Sequence, residues 1–111
     1  MSDGLPPPHQ PHDPPTDPAA LTLEWVEFRD RREGMIHAMS GGLWLHRHLW
    51  LGRRLAHLVS SDRERLVRWG ARVGLDEKYL QYHPLKDPRD GVRRPAWHWD
   101  LGGPYLPREL P

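Results

Sequence analysis

From Leu43 the chain alternates. Leu43, Leu45, Arg47, Leu49 and Leu51 fall on one side of an extended backbone, and Trp44, His46, His48 and Trp50 fall on the other. A period of two predicts a half-buried strand, and Gly52 interrupts it before "RRLAHLVS" resumes as a second strand. Upstream, "MIHAMSGGLWLH" reads as an earlier strand, a Gly41-Gly42 turn and the entry to the first of these two. Asp17-Pro18 has the form of a helix N-cap followed by an N1 proline, and Gly34 that of a helix terminator. Yet "LTLEWVEF" between them alternates and is rich in strand-forming residues, so residues 21–28 fit a strand or a helix.

The period changes after Ser60. Leu66, Trp69 and Val73 recur at helical spacing, with Arg63, Arg65, Arg68 and Arg72 on the outside. Ser61 or Asp62 stands at the cap position and Gly74 at the end. "DEKYLQ" predicts a further short helical turn. Residues 83–96, with three prolines and a glycine, predict an exposed loop, and "WHWDL" from Trp97 to Leu101 a last short strand. No internal repeat is present. Strand, helix, loop and strand in that order predict a compact α+β domain with a small sheet and one main helix.

Composition alters this picture first at the N-terminus. Residues 1–20 hold seven of the 13 prolines, no Lys or Arg and little that could enter a core. The expectation is a disordered, proline-rich tail over 1–20 and a single domain over 21–111. The Pro8-x-x-Pro11 and Pro11-x-x-Pro14 spacings suit an SH3-type groove, but the flanking basic residue such ligands carry is missing. All six tryptophans lie outside the tail, where large aromatics fill a small core efficiently. Cysteine is absent, which rules out disulfides and thiolate metal sites.

The start lacks the pattern of a secretory signal, and no run approaches the ~20 apolar residues of a membrane helix. These features lead to the expectation of a cytoplasmic protein with no membrane partner. The whole chain carries +1, whereas residues 21–111 carry +4, because three of the acids lie in the tail. That balance permits a phosphate-bearing ligand without demanding nucleic acid.

"GRRLAHLVSSDRERLVRWGARVGL" and the later "WHWDL" resemble a small bacterial and phage family, the domain of unknown function numbered 4031, over about residues 53–101. Its members read Arg-x-x-Ser-His-Leu-Val-Ser-Asp, then Glu-Leu-His-Ala-Phe-Ala-x-x-x-Gly, then His-Tyr-Asp. The resemblance lays the first stretch on Ala56, His57, Leu58 and Val59, the helix glycine on Gly74, and the last on His98, Trp99 and Asp100. Val67 stands where the family has a helix histidine, and the family's Val-Asp-Pro-Pro opening strand has no counterpart here. The resemblance implies a fold and singles out His57 and His98-x-Asp100. It implies no activity.

Three chemistries can be drawn from these residues. His46 and His48 share one face of a strand about 6–7 Å apart, the spacing of many His-x-His metal pairs. His98-x-Asp100 repeats that geometry, and His57 adds a lone imidazole on a neighbouring strand. A divalent site from His57, His98 and Asp100 would suit Zn, Mn or Fe. Without metal, His57 or His98 could serve as general acid or base, with Asp100 orienting an imidazole and Arg53 or Arg54 neutralising a phosphate. Pairing with Asp100 should then raise His57 or His98 above the ~6.5 reference. Third, Arg93 and Arg94 beside Trp97 and Trp99 form a basic and aromatic mixture that can stack bases, with the helix arginines as a second basic surface.

Against each stands a plainer role. A His-x-His beside tryptophans is often a half-exposed packed face, a His-Asp pair often a structural hydrogen bond, and a row of arginines often the wet side of a helix. The leading expectation is a small binding or regulatory module whose partner is a protein or a nucleotide or other phosphate-bearing ligand, with nucleic acid compatible. The alternative is a histidine- or metal-dependent hydrolase acting on a phosphate-containing substrate. His46 and His48 rank below His57, His98 and Asp100.

Overall fold

The computed structural model describes residues 24–107, and the expected proline-rich tail therefore lies outside the described residues. The fold is α+β. Helix α1 (Arg31–Met39) precedes the hairpin of strands β1 (Trp44–Trp50) and β2 (Arg53–Ser60), which is followed by helix α2 (Arg63–Val73). A 3₁₀ turn (Glu77–Tyr79) leads to the short strands β3 (Gln81–Tyr82), β4 (Leu85–Lys86) and β5 (Arg93–Arg94), then to β6 (Trp97–Gly102) and a second 3₁₀ turn (Gly103–Tyr105). Four strands form one antiparallel sheet in the order β1-β2-β6-β3, and β4 pairs with β5 separately.

The alternation of β1 and β2 sorts side chains onto two faces of that sheet. Leu43, Leu45, Ala56, Leu58, Trp99 and Leu101 face α2, where Leu66, Trp69 and Val73 close the main core with Trp25. Helix α2 follows its pattern closely. Asp62 caps it by accepting from the Arg65 N–H, Gly74 ends it at φ 90°, and Arg65, Arg68 and Arg72 are exposed. On the opposite face Trp44 and Val59 pack with Ala38 of α1, flanked by Phe28, Met35 and Leu85. Helix α1 covers only this end. The histidine end of the same face remains open.

The expected strand before the Gly41-Gly42 turn is instead α1. Asp30 supplies the cap by accepting from the Arg32 N–H at 2.9 Å, so the helix starts well after Asp17-Pro18. Gly34 does not end a helix; it lies inside one. A Cβ there would come within 2.1 Å of the Trp44 ring, so the missing side chain is what lets α1 lie against the sheet. "MIHAM" alternates well enough to pass for a strand. The buried positions Gly34, Ala38 and Met39 have helical spacing, and packing against Trp44 decides the outcome. Of residues 21–28, those described form neither regular element: Val26 makes a single parallel bridge with Trp44, and Trp25 is in the core.

Residues 83–96 are largely exposed, as expected, but they are more ordered than a plain loop. The β4–β5 hairpin organises them around Asp87, only 1% exposed, which accepts from the Arg89 backbone and guanidinium and from Arg94. These cations and hydrogen bonds, led by the Arg89 side chain, hold the Asp87 carboxyl down to about 2. A buried carboxylate survives only with such partners. Two members of the basic and aromatic mixture are engaged within the fold. Trp99 is in the core and donates its indole N–H to the Leu66 carbonyl at 2.9 Å, and Arg94 pairs with Asp87 and Asp90.

The β1–β2 connection is a two-residue turn, Leu51-Gly52, closed by the Trp50–Arg53 pair. Both turn residues have positive φ, 50° at Leu51 and 77° at Gly52, as type I′ hairpin turns require. Glycine adopts this freely, whereas a leucine there costs roughly 1–2 kcal/mol.

Candidate functional site

The strand register builds the site. His46 on β1 faces His57 on β2, and His57 faces Asp100 on β6, so the three form one row across the sheet. His48 lies two residues along β1 and His98 two residues along β6, which puts each diagonal to His57 on the same face. The ring centroids of His48 and His98 lie 4.5 and 5.0 Å from that of His57. Trp97 and Trp99 turn the other way, into the main core, as the alternation of β6 requires.

Asp100 joins the imidazoles. Its Oδ1 lies 2.9 Å from His57 Nε2 and 3.4 Å from His98 Nε2, while Oδ2 accepts from the Gln81 side-chain amide. One donor atom from each of His57, His98 and Asp100 lies within 4.8 Å of the other two. Zinc ligands at 2.0–2.2 Å in a tetrahedron are about 3.3 Å apart, so a small rotation of the rings would bring all three onto one ion. Two nitrogens and one oxygen would leave at least one position of a tetrahedral ion unfilled by these residues.

Pairing with Asp100 does not raise the imidazoles as expected. Burial is the largest influence and pushes both His57 and His98 below the ordinary histidine value; Asp100 opposes it without reversing it. Neighbouring imidazoles push the same way as burial: His98, His48 and His46 at His57, and His83 at His98. Burial also lowers His46, assisted by the charge of Arg31 and by His48. Each of these shifts favours the neutral ring, the form in which an imidazole binds a metal.

A cleft of about 320 Å³ opens over this row, with His46, His57, His83 and His98 on its walls and Trp44, Met35, Val59 and Leu85 giving it an apolar lining. Arg31, the first residue of α1, contributes its cation, with the guanidinium carbon 6.0 Å from the Trp44 ring centroid. An adjoining concavity is bounded by His48, Leu55, His57 and Asp100. Among the described residues His48 Nδ1 is buried without a hydrogen-bond partner.

The two arginines expected at the rim are elsewhere. Arg53 is exposed at the start of β2, four residues from His57, or about 13 Å at the rise of a strand. Arg54 projects from the opposite side of β2 and lines a separate concavity of about 580 Å³ with Arg47, Leu106 and Pro107. The arginine that reaches the cleft is Arg31. The sequence pattern does not mark it, because that pattern assigns only Met35–Met39 of α1, and to a strand, and leaves Arg31 outside any element. His83 and Gln81 were missed as well, although Gln81-x-His83 repeats the two-residue spacing of His46-x-His48. That signal was present, but nothing marked "QYH" as a strand pairing with β6. His46 and His48, ranked lower, line the same site.

Comparison of this chain with known proteins finds no matching family model, no matching curated protein and no matching solved structure.

Proposed function

We propose that the protein is a metal-dependent hydrolase acting on a small phosphate ester, with His57, His98 and Asp100 as ligands of one divalent ion. The observation that carries the reading is the convergence of these three donors beside a cleft. Closed four-ligand sites are structural, whereas three protein ligands with an open position characterise catalytic ones. Two nitrogens and a carboxylate suit zinc, manganese or iron.

The cleft supports the substrate class. Its lining holds one guanidinium, Arg31, and no carboxylate, and the apolar wall around Trp44 would accept a planar or aliphatic body. Arg31 neutralises the phosphate, and a divalent ion held by His57, His98 and Asp100 would supply Lewis-acid polarisation there. His46 in the same cleft, where burial favours the unprotonated ring, accepts a proton from the attacking water. The water oxygen bonds to phosphorus and the ester P–O bond breaks. The alkoxide that leaves takes the proton back from His46, giving an alcohol and phosphate.

A second reading has its own support. Asp100 is fully engaged without any ion, accepting from Gln81 on one oxygen and meeting two imidazoles on the other. A closed network of this kind suits a module that binds a phosphate-bearing ligand and does not turn it over.

Metal analysis of purified, untagged full-length protein, paired with turnover of an aryl phosphate, tests the choice. One ion per chain, lost in Asp100→Asn and His98→Ala together with turnover while the circular dichroism is kept, is the expected result. No metal after supplementation and no turnover refutes the hydrolase. Phosphate binding that persists in chelator then supports the module.

A further inference from the structure

The tip of the β1–β2 hairpin is apolar and unprotected. Leu49, Trp50 and Leu51 are 72%, 58% and 81% exposed, three consecutive large side chains at the turn of the hairpin. Leu51 is held at positive φ in a turn position that asparagine or glycine would occupy without strain. A strained backbone that presents an apolar side chain to solvent gains nothing for folding, which directs attention to a use outside the fold.

The hairpin that carries the tip is basic: from Leu43 to Ser60 the chain has three arginines and no acid, and of the three Arg47 pairs with Glu27 away from the turn. Arg53 and Arg54 are exposed immediately behind the turn. We infer that the Leu49–Leu51 tip inserts into the interfacial layer of an anionic lipid surface, with the exposed Arg53 meeting lipid phosphate. The sequence alone led to the expectation of no membrane partner; the geometry of the tip argues for a peripheral one. No helix among the described residues is long and apolar enough to cross a membrane, so the contact is one of surface docking.

The small area of the tip favours lipid over a protein. A stable protein interface buries about 800 Å² on each partner, usually over a broad, complementary patch. Three exposed side chains at one hairpin turn offer much less, whereas a bilayer needs no complementary surface. Tryptophan prefers the headgroup level, leucine the acyl boundary below it, and an arginine behind them is attracted to anionic headgroups. The inference is independent of the metal site, which lies farther down the same hairpin.

Leu51→Asn separates docking from folding. Asn-Gly is the favoured type I′ pair, so the variant should melt at or above the wild-type midpoint. Full-length wild type should cosediment with vesicles of phosphatidylcholine and phosphatidylglycerol in equal parts, less with phosphatidylcholine alone, and less as salt rises. Leu51→Asn should bind the mixed vesicles about tenfold more weakly or worse, as loss of a buried leucine implies. Arg53→Glu should remove most of the preference for phosphatidylglycerol. Wild type that stays unbound, binds both vesicles alike, or binds no better than Leu51→Asn overturns the inference. So does self-association that Leu51→Asn abolishes in protein that binds no vesicles, since the tip would then be a protein interface.

Discussion

Replacing Gly70 by alanine should destabilise the protein, although helix propensity alone predicts the opposite. Gly70 is buried in the interior of α2, where alanine is favoured over glycine by about 0.8–1.0 kcal/mol. A Cβ at this position, however, would lie 2.3 Å from Cζ2 and 2.8 Å from Cε2 of Trp99. The ring cannot easily withdraw, because Trp99 is 1% exposed and its indole N–H is bound to Leu66. Overpacking of this kind costs about 1–3 kcal/mol, so the net loss should be roughly 0–2 kcal/mol. Trp99→Leu by itself should cost about 2–4 kcal/mol, from the lost volume and the lost hydrogen bond. A leucine there has no atoms at the clashing positions, so the two changes should interact. In the Trp99→Leu background Gly70→Ala should stabilise by about 1 kcal/mol, which amounts to a coupling of roughly 1–3 kcal/mol. Urea unfolding of the four proteins closes the cycle, with equal slopes required for the comparison. Additivity within about 0.5 kcal/mol would refute the packing argument. The cycle also reports on the site, since Trp99 anchors the strand that carries His98 and Asp100 on its other face.

Trp69→Ala should cost about 3–5 kcal/mol, because the ring is 1% exposed between α2 and the sheet; an unfolding midpoint close to wild type would show that the helical face is misassigned. In chelator-treated protein the depressed values of His46, His57 and His98 mean that the unfolded chain binds more protons below about pH 6.5. Stability should therefore fall as the pH drops from about 7 to about 5, and urea midpoints that rise instead would contradict the burial of these rings. Asp87 acts lower on the scale. Its contribution is complete above the unfolded value of about 4 and is lost as the pH falls toward about 2, so Asp87→Asn should flatten the stability profile in that window. An unchanged acid limb would mean that the ion pairs with Arg89 and Arg94 contribute nothing to folding.

Local pattern determined the elements whose signals agree with one another. The period-two run from Leu43, the helical spacing of Leu66, Trp69 and Val73, the Asp62 cap and the Gly74 end all lie in the chain itself, and the structure follows them. Alternation in "WHWDL" likewise sent His98 and Asp100 to one face and Trp97 and Trp99 to the other. Tertiary structure decided the rest, for identifiable reasons. Helix α1 depends on Gly34 meeting Trp44, a contact that spans the Gly41-Gly42 turn and leaves no periodic trace in "MIHAM". The order of residues 83–96 depends on Asp87 finding two arginines. Register, more than pattern, assembled the candidate site. Strand alternation assigns a histidine to a face but not to a partner, and the pairing of His46 with His57 and of His57 with Asp100 emerges only when three strands align. For the same reason Arg31 and His83 joined the cleft unannounced while Arg53 and Arg54 stayed outside it. The sign of the histidine shifts was also beyond the sequence, because burial and imidazole crowding outweigh the one carboxylate that the spacing made visible.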